Sequence, residues 1–208
     1  MQTEIFDVFD ETMRKIGQES RNQVHAKGLW HQTFHCWILN HAGDGLRLLF
    51  QLRHKDKDIF PSLLDISCAG HLQAGESAED GVREMEEELG LSVDFKDLIY
   101  CGRVAQEYVL AEDLIDREFN HVFLYKCDLP LEDYRVQESE VSGLYFVDYR
   151  EFKELIGGIR ASVSAEGFRI EEASGTYENE IRTMALEDFT PNDDAYYQLL
   201  FDKVEANK

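Results

Sequence analysis

Proline and cysteine are both scarce, at three and four residues in a chain of 208. So little proline, beside 43% hydrophobic and 12% aromatic residues, excludes a collagen-like or low-complexity chain and argues against disorder. Cys36, Cys68, Cys101 and Cys127 form no C-x-x-C pair, so neither a zinc site nor a disulfide framework is signalled, and a reducing compartment is expected. Positive charge is also in short supply. There are 21 Lys and Arg against 42 Asp and Glu, a formal charge of −21 at pH 7. That balance repels nucleic acid polymers and anionic membranes, and leaves small anions and divalent cations as partners. No apolar run approaches the ~20 residues of a membrane span, and the opening MQTEIFDVFDE carries acids where a signal peptide carries bases, so the expected location is cytoplasmic. A chain of this length buries roughly 70% of its unfolded surface and fits one embellished domain.

The chain reads as a string of short elements. Residues 3–9 are strand-like. Residues 30–39 (WHQTFHCWIL) and 46–53 (LRLLFQLR) flank Gly43-Asp44-Gly45, a turn that predicts an antiparallel hairpin. A charged loop, KDKDIFP, precedes LLDISCAG, which reads as a buried strand ending at Gly70. The spacing predicts a helix over 77–89, capped by Ser77, with acids at its positive end and Gly90 as its stop. Strands are expected at 98–109, 118–126 and 144–147, and a short helix at 149–156. Gly157-Gly158 marks the edge of the main domain, and Thr190-Pro191-Asn192-Asp193 starts a last helix to about Val204, with the proline at its first helical position.

At about 100° per residue, Glu84, Glu87 and Glu88 fall within a ~100° arc of the 77–89 helix, and Val82, Met85 and Leu89 lie together on another face. Such a pattern suits an ordinary solvated acidic face. It also suits a cation site, because packing the apolar face on a sheet brings the carboxylates together, where a hard divalent ion relieves their repulsion.

The stretch from Gly70 to Leu91, with Glu76 and then Arg83-Glu84-Met85-Glu86-Glu87-Glu88-Leu89-Gly90-Leu91, closely resembles the Nudix box, G-x5-E-x7-R-E-U-x-E-E-x-G-U with U aliphatic. The resemblance implies that Glu84, Glu87 and Glu88, with the Gly70 carbonyl, hold magnesium (or manganese), that Glu87 or Glu84 acts as the base, and that Glu76 and Arg83 brace the loop. Six residues, SAEDGV, separate Glu76 from Arg83 where the pattern has seven; the deletion bears on the turn and the brace and leaves the carboxylate face intact. Gly81 sits where a helix favours alanine by about 1 kcal/mol.

The likeness extends over about residues 3–156 to the Nudix branch that resembles isopentenyl-diphosphate isomerase. It rests on EIFDV, VHAKGLWHQTFHCWILN, LLFQLRHKDKDIFP, DISCAGH and EFNHVFLY. The isomerase has an essential acid cysteine just before the Gly-His pair. Here that position is Ala69, and Cys68, one residue earlier on a strand, points to the opposite face. The resemblance further offers His25, His31 and His71 as metal-binding histidines, Arg53 and Lys57 as diphosphate contacts, and Glu118 as an outlying metal carboxylate with Asp116 as a weaker partner. Histidines that only shape the cleft and a solvated basic loop are the alternatives. The implied fold is an α/β/α sandwich with a mixed β-sheet and a C-terminal helical extension: a Nudix domain over 1–156, and 157–208 packed on the same domain. The implied activity is magnesium-dependent hydrolysis of a diphosphate bond in a small nucleoside-diphosphate-linked or other organic pyrophosphate. An isomerase-type enzyme and a non-catalytic ligand-binding module are the rivals. A homodimer is compatible with the sequence.

Overall fold

The computed structural model describes residues 4–41, 45–171 and 174–208. Its first unit is a short antiparallel pair, β1 (Ile5–Phe9) and β2 (Lys15–Ser20), followed by α1 (Arg21–Lys27), which Gly28 ends in the left-handed region at φ 59°. β2 and α1 have no counterpart among the elements expected from sequence, because β2 is mostly exposed and carries no apolar alternation.

The main sheet has nine strands among the described residues: β3 (His31–Asn40), β4 (Arg47–Arg53), β5 (Leu64–Asp65), β6 (Cys68–His71), β7 (Ile99–Ala111), β8 (Leu114–Lys126), β9 (Val141–Asp148), β10 (Ser162–Glu171) and β11 (Thr176–Ala185). Their order is β11-β10-β9-β4-β3-β8-β7, with β5 on β4 and β6 on β3. The β3–β8 pairing is parallel and the others antiparallel, so the sheet is mixed as expected. β3 is buried along nearly its whole length because both faces are covered. Phe34, Cys36 and Ile38 face one core with Met85 and Leu89 of α2 (Arg83–Leu89); Trp37 and Leu39 face the other with Phe152 of α3 (Tyr149–Ile156) and Tyr196, Leu200 and Val204 of α4 (Asp194–Asn207). These are the three layers of an α/β/α sandwich.

The expected β3–β4 hairpin holds only at its base, where Leu39 opposes Leu48 and Asn40 opposes Arg47. Gly43 and Asp44 of its turn lie outside the described residues. Beyond the base the strands diverge, and β6 fills the fork against Thr33–Cys36 while β5 pairs with β4. The fork is what opens the sheet for a site.

Three expectations are corrected. The 77–89 helix begins only at Arg83, after a 3-10 turn over Asp80–Val82. Ser77 does not cap it: its backbone N–H and hydroxyl both donate to Asp80 (2.8 Å each). Gly81 lies against Phe34, and a Cβ there would stand 2.6 Å from the Phe34 Cβ, so packing and not helix propensity selects the glycine. The C-terminal extension is not only helical, since β10 continues the sheet from β9 and β11 forms its edge. Finally, α4 starts after Asp193, whose side chain accepts from the Tyr196 N–H at 2.7 Å; Pro191 stands before the helix and not in its first turn.

Candidate active site

A cavity of about 770 Å³ opens over the fork. Glu84 and Glu88 on α2, Gly70 and Ala69 on β6, Arg53 and Lys57 around the charged loop, and Asp116 and Glu118 on β8 all line it. Glu84 and Glu88 are buried, with apolar Met85 and Leu89 packing α2 on the sheet as the helical pattern requires. The Glu84 side chain lies over Gly70, where any Cβ would come within 2.2 Å of its carboxyl carbon. Glu88 Oε2 accepts from the Ala69 N–H (3.2 Å) and the Gln51 amide (3.4 Å). Burial, then the neighbouring Glu88, raises Glu84 to about 8. Burial raises Glu88 to about 7, against the opposing pull of Lys57. Two carboxyls held this high form a site that a cation would discharge.

Arg83 ties the box together. It meets Glu76 through Nε (3.0 Å) and Nη2 (3.1 Å), the His71 carbonyl through Nη2 (3.0 Å), and Glu84 and Glu87 through Nη1 (2.6 and 3.1 Å). The Glu76–Arg83 contact therefore forms despite the shortened loop. Glu87 departs from the expected convergence. Its side chain is 53% exposed and turned to Arg83, and the three α2 carboxylates are not among the described clusters whose ligand atoms lie within 4.8 Å of one another.

The clusters that do converge are His25, His31 and His71, and His31, Asp116 and Glu118. Asp116 Oδ1 lies 3.6 Å from His25 Nε2 and 3.8 Å from His31 Nε2; Glu118 Oε1 lies 3.7 Å from His31 Nε2 and 3.6 Å from His71 Nε2. Phe6 of β1 stacks on the His31 and His71 rings at 5.4 and 4.7 Å and so walls this cluster. His31 Nδ1 donates to the Leu29 carbonyl (3.1 Å), which leaves the Nε2 lone pair facing the carboxylates. Burial lowers His31 to about 4 and His71 well below the ordinary range. Burial and Asp116 push Glu118 well above the ordinary range. His25 Nε2, His31 Nε2 and Asp116 Oδ1 are buried without hydrogen-bond partners. Imidazole nitrogens left without partners beside carboxylates are a donor set that fits a divalent cation. Glu118, expected beside the α2 carboxylates, thus sits among the histidines.

The basic residues are restrained. Arg53 is tied through Nη1 to Asp65 and through Nε to the Ile59 carbonyl (3.0 Å), and Lys57 pairs with Glu140. Thr190, just ahead of α4, donates to Asp65 Oδ1 (2.7 Å), so the C-terminal segment anchors the group that aims Arg53.

Beyond the residues singled out from sequence, Thr33, His35, Gln106, Tyr108, Asn120, Pro191 and Asn192 also line the cavity. A signal existed for some of them: His31-Thr33-His35 and Asp116-Glu118-Asn120 place polar side chains at every second position of buried strands, hence on one face. Ala69 faces this cavity, whereas Cys68 is wholly buried in the opposite core with Phe34 and Met85.

The NUDIX domain profile matches residues 29–165. The chain belongs to the Nudix family of hydrolases. It is 40% identical over 200 residues to an uncharacterised Nudix hydrolase of Clostridium acetobutylicum, covering 96% of both chains. It is 28% identical to isopentenyl-diphosphate Delta-isomerase 2 of Photorhabdus laumondii over 74% of this chain and 82% of that one. A solved structure from Deinococcus radiodurans shares the fold at a TM-score of 0.54 and 21% identity, over 74% of this chain and 90% of that chain. Among the described residues no helix is long and apolar enough to cross a membrane.

Proposed function

We propose that the protein is a divalent-metal-dependent pyrophosphohydrolase that cleaves a diphosphate bond in a small nucleoside-diphosphate-linked or other organic pyrophosphate. The observation that carries this reading is the buried Glu84–Glu88 pair over Gly70, in one cavity with Arg53 and Lys57. Glu84, Glu88 and the Gly70 carbonyl would hold magnesium or manganese, with Glu87 joining them on release from Arg83. Such a cation supplies neutralisation of phosphoryl charge and acidification of water. Glu87, at the open side of the cavity, would take the proton of the attacking water once released from Arg83. Arg53, its fork aimed by Asp65 and Ile59, binds the diphosphate oxygens, and Lys57 adds a point charge. Arg83 and Glu76 hold α2 against the Gly70 loop throughout. The histidine cluster with Asp116 and Glu118 is a second cation site, and its imidazoles favour manganese or zinc over magnesium.

An isomerase reading is weakened by the absence of an acid at Ala69 and by the burial of Cys68 on the far face. A phosphatase-coupled screen of diphosphate compounds with magnesium tests the proposal: phosphate release that Glu84→Gln abolishes supports it. Conversion of isopentenyl to dimethylallyl diphosphate at ~1 s⁻¹ or faster, followed by NMR, would replace it with the isomerase. Bound metal with silence in both assays would favour a ligand-binding module.

A further inference from the structure

Among the described residues six buried side-chain nitrogen and oxygen atoms lack a hydrogen-bond partner. Buried polar groups are nearly always paired, so each orphan calls for a cause. His25 Nε2, His31 Nε2 and Asp116 Oδ1 belong to the histidine cluster and are explained by a cation, and Arg47 Nε lies at the other end of β4. Thr33 Oγ1 and Asn120 Oδ1 remain. They are not scattered: Thr33 and Asn120 are register partners across β3 and β8, both nearly inaccessible, and both line the cavity beside Ala69.

The Asn120 amide is oriented by its neighbours. Its Nδ2 donates to Glu118 Oε2 (3.1 Å) and lies 3.2 Å from His35 Nε2. His35 Nδ1 is in turn 3.0 Å from the Tyr196 hydroxyl, which also accepts from Trp37 Nε1 at 3.1 Å. With the amide nitrogen so engaged, the carbonyl is left over as an acceptor, next to a threonine hydroxyl that can donate. A single alcohol group placed between these register partners would satisfy both, donating to Asn120 Oδ1 and accepting from Thr33 Oγ1. A hydrocarbon chain over the same floor would leave both unpaired, which is the situation that sites built for hydroxyls use to reject their deoxy analogues.

We infer that Thr33 and Asn120 form a subsite for a hydroxyl of the organic portion of the substrate, so that the protein selects polyol or sugar diphosphates over prenyl or alkyl diphosphates. This rests on the proposed diphosphate chemistry and names the substrate class for the same cavity. The α4 residue Tyr196 contributes as a positioning residue, holding His35 and through it the amide.

The test uses the full chain, with ribose 5-diphosphate and n-pentyl diphosphate as five-carbon probes with and without hydroxyls. Binding is measured by calorimetry with calcium in place of magnesium, so that the readout does not depend on turnover. The wild type is expected to bind the ribose compound at least ~100-fold more tightly. In Thr33→Val that preference should fall at least ~10-fold, and Thr33→Ser should restore most of it. The melting temperature of Thr33→Val should equal or exceed that of wild type, because an unpaired buried hydroxyl is being replaced by an isosteric methyl. A structural or water-bridging role predicts the reverse: a lower melting temperature and equal weakening toward both probes. Equal weakening, no preference in the wild type, or no binding of ribose 5-diphosphate overturns the inference. Preferential binding without hydrolysis in magnesium would instead overturn the pyrophosphohydrolase reading and leave this one standing.

Discussion

The raised carboxyls of α2 make the metal-free protein lose stability as pH rises above neutrality. Glu84 titrates at about 8 and Glu88 at about 7 in the folded chain, against 4.5 when free. Between those values the folded state binds more protons than the unfolded one, so the stabilisation is full at low pH and is lost as pH climbs through 7 and 8. Buried histidines work the other way. His31, His35 and His121 are held down to about 4, so they destabilise the fold as pH falls below 6.5. From pH 7 to 8, where the histidines are already mostly neutral in both states, the carboxyls dominate. Across that window linkage gives a net loss of about 1 kcal/mol, most of it from Glu84. For a chain of this size that is roughly 2–4 °C in melting temperature. Glu118, raised by burial and by Asp116, acts in the same direction. The assay is differential scanning calorimetry in chelator and in excess magnesium at matched ionic strength. Magnesium should flatten the slope, and Glu84→Gln should remove most of it without any metal. A melting temperature in chelator that is constant or rises across the window, or a slope that survives in Glu84→Gln/Glu88→Gln, would refute the reasoning.

Turnover should fall at least ~100-fold in Glu87→Gln and little in Glu86→Gln, which lies off the cavity face; equal losses in steady-state kinetics would defeat the facial assignment. His31→Ala should reduce the manganese or zinc stoichiometry, read by elemental analysis of the dialysed protein, from two sites to one; an unchanged count would dissociate the histidine cluster from metal. Gly81→Ala should destabilise by about 1–3 kcal/mol through its contact with Phe34, although helix propensity alone predicts a gain of up to about 1 kcal/mol. Urea denaturation gives the sign, and a stabilised variant would mean that the 3-10 turn relaxes freely.

Local pattern was enough for much of this molecule. The α2 stripe, with carboxylates on one side and Met85 and Leu89 on the other, follows from 3.6-residue periodicity, and its Gly90 stop from the left-handed φ of 70°. The α3 boundaries were legible because Asp148 caps the helix and Gly157 follows its last turn. The alternation that places Cys68 and Ala69 on opposite faces needed only the strand period of two. Long-range pairing decided the rest. Whether Glu118 joins the α2 carboxylates or the histidines depends on β8 lying parallel to β3, which sets Glu118 opposite His31. Strand β11 was invisible because, at the exposed edge, it lacks a buried face to impose alternation, and in β10 the alternation changes phase at Gly167-Phe168. The hold of α4 on the site runs through Tyr196 to His35, 161 residues apart, and through Thr190 to Asp65, 125 apart. The sequence by itself determined the carboxylate face of α2, its apolar face and the alanine in place of the acid, since these depend on neighbours within a turn or a strand. Only the tertiary structure decided which polar groups share a cavity and which are left unpaired in it, because hydrogen-bond partners and burial are set by contacts between segments far apart in the chain.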